Sequence, residues 1–215
     1  MTWATFVTVV VSVLLAVVGY VATYVYNLRL AQRKDRLDHV NRQLSELYGP
    51  LVALATAGET TWAGFRRLYR PGVSYWGSQP PPTDEEAAAW RLWMTEVFTP
   101  LNERIFEVVT NNAELLVESE MPRPLLDVCA HVAGYRPVVR SWKDGDTSLN
   151  TSTSNFDGRQ LVEYALTRFR ALKLEQRRLI GSSADLAVAP QERKVAISGS
   201  VSGSTVVTGD SGDAY

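Results

Sequence analysis

The sequence is poor in the side chains that usually do chemistry. Among its 215 residues there is one cysteine, Cys129, and there are two histidines, His39 and His131. A single cysteine cannot form an intramolecular disulfide, so a stapled secreted fold is excluded and a reducing compartment is expected. The common catalytic and nucleotide-binding strings are missing: no G-x-S-x-G, no G-x-x-x-x-G-K-[ST] and no G-x-G-x-x-G occurs. An excess of charge is also lacking. With 22 Lys and Arg against 23 Asp and Glu, the formal net charge is −1, which leaves no electrostatic footprint for nucleic acid. Finally, residues 3–26 carry no charged side chain at all.

That uncharged run is long enough to cross a bilayer, which takes about 20 apolar residues as a helix. Its interior (VTVVVSVLLAVVGYVATYVY) is built of Val, Leu and Ala, with Trp3 and Phe6 at one end and Tyr20, Tyr24 and Tyr26 at the other, where interface aromatics sit. A secretory signal peptide would want a basic segment first and a shorter apolar core. No Lys or Arg precedes the run, so a retained signal-anchor over residues 1–28 is expected. The C-terminal flank carries the basic cluster Arg29, Arg33, Lys34 and Arg36. The positive-inside rule then predicts a single-pass protein of the inner (plasma) membrane, N-terminus outside and the rest cytoplasmic. The lipid bilayer is thus the first partner implied.

A heptad pattern follows the run. Leu30, Leu37, Leu44 and Leu51 are seven apart, as are Val40, Leu47 and Leu54, offset by three. Leu30, Leu37, Val40, Leu44 and Leu47 form a juxtamembrane seam, which Arg33 interrupts near the membrane. Extended backwards, the register lands on Ser12, Ala16, Gly19, Thr23 and Tyr26; the first four are small residues of the kind that let transmembrane helices approach closely. The face predicts either self-association or packing on later helices of the same chain.

The remainder reads as helices separated by breaks. Gly49-Pro50 predicts a kink or an immediate restart, because proline lacks a donor and clashes with the preceding turn. A second helical segment follows to about Tyr69, closed by Arg66, Arg67 and Arg70. Residues 71–83 (PGVSYWGSQPPPT) form a loop, in which Trp76 is expected to be partly exposed. Thr83 and Glu86 have the spacing of a capping box. The run after it, with Trp90, Trp93, Met94, Val97 and Phe98 on one face, continues past Pro100 and is expected to end near Ser119. The strings LYGPL and VFTPL each place a proline after an apolar aromatic stretch. A helix from about Pro124 to Trp142 contains Pro137, which predicts a kink or an early end. Residues 143–155 read as a solvated loop, and a last helix runs from near Asp157 to Ile180, ended by Gly181. The expected fold is all-α: a transmembrane helix continuing into a cytosolic bundle of four or five kinked helices over residues 29–181. Residues 182–215 then form a linker and a Gly/Ser-rich tail.

Little of this looks catalytic. Asp127 and His131 stand one helical turn apart, which suits either a shared metal or a surface hydrogen bond. A metal site needs further ligands at a recognisable spacing, and Glu103, Glu107, Glu114 and Glu118 come without the Glu-x-x-His partner of di-iron bundles. Cys129, on an apolar helical face, reads as inert. No catalytic residue, metal, cofactor or small-molecule ligand is assigned.

In the tail, Val195, Ile197, Val201 and Val207 alternate with Gly, Ser and Thr, which is strand periodicity. The string ISGSVSGSTVVTGD resembles short tails of bacterial proteins linked to predicted conflict and signalling systems. That resemblance implies a self-associating or docking tag. The combined expectation is a non-enzymatic membrane-anchored scaffold or adaptor with protein partners. The alternative is a membrane-acting effector that oligomerises through its transmembrane helix.

Overall fold

The structure, a computed structural model, describes residues 3–72, 75 and 79–195. Trp76 and, of the alternating positions, Ile197, Val201 and Val207 lie outside the described residues, whereas Val195, the first of them, is the last residue of a helix. Among the described residues every regular element is helical and no strand forms. The first run comprises α1 (Trp3–Arg42), a π-helical segment (Gln43–Tyr48) and α2 (Gly49–Tyr69). The second comprises α3 (Asp84–Trp93), a π-helical segment (Met94–Phe98) and α4 (Thr99–Asn111). Then come α5 (Arg123–Lys143) and α6 (Gly158–Val195). The chain divides into two compact units, residues 1–177 and 178–215, and the packing described below belongs to the first.

The first run is continuous over 64 residues, from Phe6 to Tyr69. Its N-terminal part is the one described helix long and apolar enough to cross a membrane, and no other described part of the chain covers that window. The helix neither stops nor restarts at Pro50. Instead it widens just before the proline, and the Gly49 N–H bonds the carbonyl of Leu44, five residues back. Pro100 is met in the same way, with the Thr99 N–H on the Met94 carbonyl. The wider turn separates the proline ring from the carbonyl it would otherwise strike. The strings LYGPL and VFTPL therefore encode the same local device.

The wide turns have a consequence for packing. One extra residue rotates everything after it by about 100° around the helix axis. The heptad seam places Leu54 after Leu51, but the structure buries Ala55, with Leu54 only half-buried. Likewise the face of Trp90, Met94 and Phe98 continues into Asn102 and Ile105, and Leu101 is half-buried.

Cross-chain bonds give the helix directions. Arg42 reaches Glu114 at 3.4 Å, Gln43 Nε2 donates to the Leu115 carbonyl at 2.8 Å, and Trp62 meets Phe98 edge-on at 5.8 Å. Residue numbers rise on one side as they fall on the other, so the first run lies antiparallel to the second. Arg36–Glu175 at 2.7 Å, Gln176–Asn41 at 2.6 Å and Tyr48–Tyr164 at 3.4 Å place α6 antiparallel to α1 in the same way. Arg136 of α5 forks onto Glu103 of α4 at 2.9 and 2.8 Å.

One core cluster is aromatic: Phe65, Tyr75, Trp90, Met94, Phe98, Tyr135, Val138 and Val139, with Trp62, Tyr69, Trp93 and Trp142 against it. Away from the aromatic cluster, Val40, Leu44, Leu47 and Leu51 of the first run and Ile105, Val109, Leu115, Leu125, Leu161 and Ala165 are all buried. The capping box forms as expected, Glu86 N–H on Thr83 Oγ1 at 3.2 Å and Thr83 N–H on Glu86 Oε2 at 2.8 Å. That carboxylate also takes Arg70 Nη1 at 3.0 Å, and Arg70 Nη2 donates to the Pro80 carbonyl at 2.6 Å. Arg70 thereby ties the 71–83 loop to the start of α3.

Four sequence expectations need correction. The helix after Pro100 ends at Asn111 rather than near Ser119, because Asn112 leaves helical geometry and its side chain binds the Val108 carbonyl at 2.9 Å. Pro137 does not end α5; it lies on the exposed face, where the carbonyl it deprives of a partner meets solvent. Gly181 does not end α6, which runs on to Val195 through a segment read as linker. One glycine costs a helix only about 1 kcal/mol, and the Ala, Leu, Gln, Glu and Arg that follow favour helix. Finally, residues 144–157 are more than a solvated loop, as the next section describes.

Leu47 and Leu51 are fully buried while Leu68 is 69% exposed. Leu47→Ala is therefore expected to lower unfolding free energy by about 2–5 kcal/mol, and Leu68→Ala to change it by less than about 0.5 kcal/mol. Urea denaturation of the full chain in neutral-detergent micelles measures both; equal effects would refute this core.

Candidate functional site

The faces expected from the sequence separate into two groups. Ser12, Ala16, Gly19 and Thr23 are all exposed on α1. The two hydroxyls bond their own helix, Ser12 to the Thr8 carbonyl at 2.8 Å and Thr23 to the Gly19 carbonyl at 2.9 Å. Of the seam, Val40, Leu44 and Leu47 are buried within the chain, Leu37 is half-buried and Leu30 is exposed. In the basic cluster, Arg29 and Lys34 are exposed, Arg33 is half-buried, and Arg36 pairs with Glu175.

The residue patterns did not reveal a cavity of about 880 Å³, open to solvent, lined by α2, the second helical run, α5 and the loop that leads into α6. Ligand sites commonly have this size and an apolar lining with a few polar groups. Its aromatic wall is Trp62, Tyr75, Trp90, Phe98, Tyr135 and Phe156. Trp62 stands edge-on to Trp90 at 5.7 Å, and Tyr75 stacks on Trp90 at 5.1 Å. Such pairs each contribute about 0.5–1.5 kcal/mol beyond the area they bury. Burial pushes the hydroxyls of Tyr75 and Tyr135 up to about 12, so both are neutral hydrogen-bonding groups at physiological pH.

The loop over residues 144–157 closes one side of this cavity, held by the ring N–H and hydroxyl groups of the helices. Trp90 Nε1 donates to the Asn150 carbonyl at 2.8 Å and Trp142 Nε1 to the Leu149 carbonyl at 2.5 Å. The Tyr135 hydroxyl bonds the Ser152 backbone. His131 Nδ1 lies 2.9 Å from the Ser154 carbonyl; a carbonyl only accepts, so Nδ1 carries the proton and Nε2 is left as an acceptor. Ser152 can come this close because Gly134 has no side chain: a Cβ there would lie 2.2 Å from its hydroxyl oxygen. Similarly, a Cβ on Gly158 would lie 2.5 Å from Glu59 Oε2, so glycine at the first turn of α6 makes room for that carboxylate.

The Asp127–His131 pairing expected from spacing does not form. Asp127 pairs with Arg123 at 2.8 Å, and His131 turns inward between Tyr135 at 4.6 Å and Phe156 at 4.8 Å. No group of three or more metal-ligating side chains occurs among the described residues. The acidic residues read from the sequence as one helix face have other partners: on α4, Glu103 with Arg136 and Glu107 with Arg104, and beyond its end, Glu114 with Arg42 and Glu118 with Arg168. Cys129 is half-buried, its thiol pushed up by burial, and it is not among the residues that line the cavity. The tryptophans, which read as core or as a ligand cage, and a histidine on an apolar helix were the hints of the site. Asn102 and Glu59 gave none, since the wide turn that brings Asn102 inward is invisible to helical periodicity.

Burial holds the His131 imidazole below its ordinary value, against a smaller opposing effect of the Ser154 carbonyl. Unfolding frees the ring to bind a proton at its usual value of about 6.5, so the unfolded state binds more protons below that pH. Stability is thus complete above about pH 6.5 and falls as pH drops below it. Urea midpoints at pH 7.5 and 5.5 are expected to fall with pH in the parent chain and in His39→Gln, and to do so much less in His131→Gln. An unchanged slope in His131→Gln would contradict the buried neutral assignment.

Comparison of the chain with protein families, with curated proteins and with solved structures finds no match.

Proposed function

We propose that this chain is a non-enzymatic, single-pass, membrane-anchored helical adaptor. The apolar part of α1 crosses the inner membrane with its N-terminus outside. The residues after it form a cytoplasmic helical bundle that is presented, with the tail, to protein partners. The observation that carries this reading is the unbroken helix from Phe6 to Tyr69. An anchor tethering an independent enzyme needs only a flexible linker, whereas a continuous helix fixes the height and rotation of what it carries. The basic flank of Arg29, Arg33, Lys34 and Arg36 supports the orientation. The partners of Asp127 and His131, and the raised Cys129 thiol, favour a binding module over a catalytic one. The bacterial signalling or defence setting rests on the tail string.

Protease added to intact spheroplasts is expected to remove an epitope fused ahead of Met1 and to spare one fused after Tyr215. Crosslinking in native membranes is expected to recover the same partners when residues 3–26 are replaced by an unrelated apolar helix. Reversed protection, or loss of those partners on the swap, would sink the reading.

One observation favours the effector alternative. The small face of α1 is open, and a Cβ added to Gly19 meets nothing within 4 Å. Under that alternative Ala16→Leu and Gly19→Leu abolish both self-crosslinking and the effect on the membrane. Under the adaptor reading both substitutions leave partner recovery intact.

A further inference from the structure

The cavity has a polar end that the fold itself leaves idle. Asn102 is only 8% exposed, lines the cavity and has no hydrogen-bond partner for its carboxamide among the described residues. Its amide is not among the buried unsatisfied side-chain atoms of the described residues, so it meets the open space of the cavity and can bond what enters it. Glu59 lines the same cavity, with neither hydrogen bond nor ion pair to a described residue. His131, also 8% exposed, has one ring nitrogen engaged by Ser154 and the other uncommitted. Glu59 and His131 both border the Phe156–Gly158 turn into α6. Glu59 Oε2 approaches Gly158, the Phe156 ring lies 4.0 Å from a Cβ placed on that glycine, and the same ring touches His131 at 4.8 Å. A Cβ on Gly58, next to Glu59, would lie 3.1 Å from Leu101, next to Asn102.

The chemistry of this end is mostly that of an acceptor. A carboxylate accepts only, the His131 Nε2 accepts, and the carboxamide offers both a donor and an acceptor. Neither arginine of the lining is paired with Glu59. Arg159 is 81% exposed and lies 3.7 Å from Asp157, and the Arg66 guanidinium lies 6.0 Å from the Trp62 ring centre. Glu59 is left as the lining carboxylate with no described cation beside it. Beyond it, Trp62, Trp90 and Phe98 present ring faces and edges at mutual distances of 5.7 and 5.8 Å, which suit a flat ring and attract a cation.

We propose that this cavity is a binding site for an aromatic amine: a planar ring held against Trp62, Trp90 and Phe98, with its ammonium group donating to Glu59 and to His131 or Asn102. The site goes beyond the adaptor reading and does not depend on it, since it needs only the first compact unit to be folded.

The test is isothermal titration of the full chain in neutral-detergent micelles, with a micelle blank, using tryptamine as the probe. Indole-3-propionate keeps the ring and reverses the charge; n-hexylamine keeps the charge and removes the ring. Tryptamine is expected to bind at one site, and each comparison compound at least tenfold more weakly. Glu59→Gln is expected to weaken tryptamine at least tenfold, while Glu120→Gln, on the exposed surface, leaves it unchanged. A thermal melt of each variant confirms that the fold is retained, and Asn102→Asp, which adds an acceptor charge, is expected to tighten binding if Glu59→Gln fails to fold. The proposal is overturned if tryptamine gives no saturation up to about 1 mM. It is equally overturned if indole-3-propionate binds as well as tryptamine, or if a folded Glu59→Gln binds tryptamine like the parent chain.

Discussion

The structure depends on carrying one helical hydrogen-bond ladder past Pro50. A proline in a helix interior removes a donor and pushes against the carbonyl four residues back, at a cost of about 3 kcal/mol or more. Here the chain opens a single π turn, and Gly49 bonds Leu44 in place of the usual partner. The ladder survives, so the apolar segment and the packed part of the first run are one helix. Had it broken, Val40 and Leu44 before the proline and Leu51 and Ala55 after it would not have to face the same core. All four are buried. The second run meets Pro100 with the same device, so two long antiparallel helices each contain a wide turn.

These turns also determine which side chains reach the interior. A π turn inserts a residue without breaking the helix, so a periodicity followed in from one side is off by one on the other. Asn102 reaches the cavity for this reason, carried inward where the α-helical pattern points to Leu101. Gln43 and Tyr48, in the first wide turn, are buried likewise. Tyr48 accepts the Val117 N–H at 3.1 Å and reaches Glu118 at 3.4 Å, and Glu118 takes Arg168 at 2.6 Å. Polar groups introduced in this way need partners, and in the first wide turn the tyrosine finds them. In the second, the Asn102 carboxamide lines the cavity.

Much of the architecture was legible in the residues. The all-helical content, the uncharged run, the cap at Thr83 and the end of α2 at Tyr69 follow from composition and local rules. Those rules describe interactions within a few residues. The misreadings share a cause, which is that the deciding contact lies elsewhere. Residues 144–157 have the polarity of a free loop, but Trp90 of α3 and Trp142, Tyr135 and His131 of α5 hold their backbone. Pro137 is harmless because it faces solvent, which depends on how α5 packs. The candidate site was the least legible part. It is assembled from α2, α4, α5 and the approach to α6, and the two glycines that admit its parts, Gly134 and Gly158, look like ordinary helix weakeners in sequence.

The central claim is mechanical continuity from the apolar segment into the aromatic module. Hydrogen–deuterium exchange of the full chain in lipid nanodiscs tests it most directly, because amide protection reports an intact ladder residue by residue. The account predicts protection without a gap from Phe6 to Tyr69, with Gln43–Tyr48 slowed like the turns on either side. Loop-like exchange at residues 27–40, or around Gly49 and Pro50, would show two helices joined by a hinge and would contradict it.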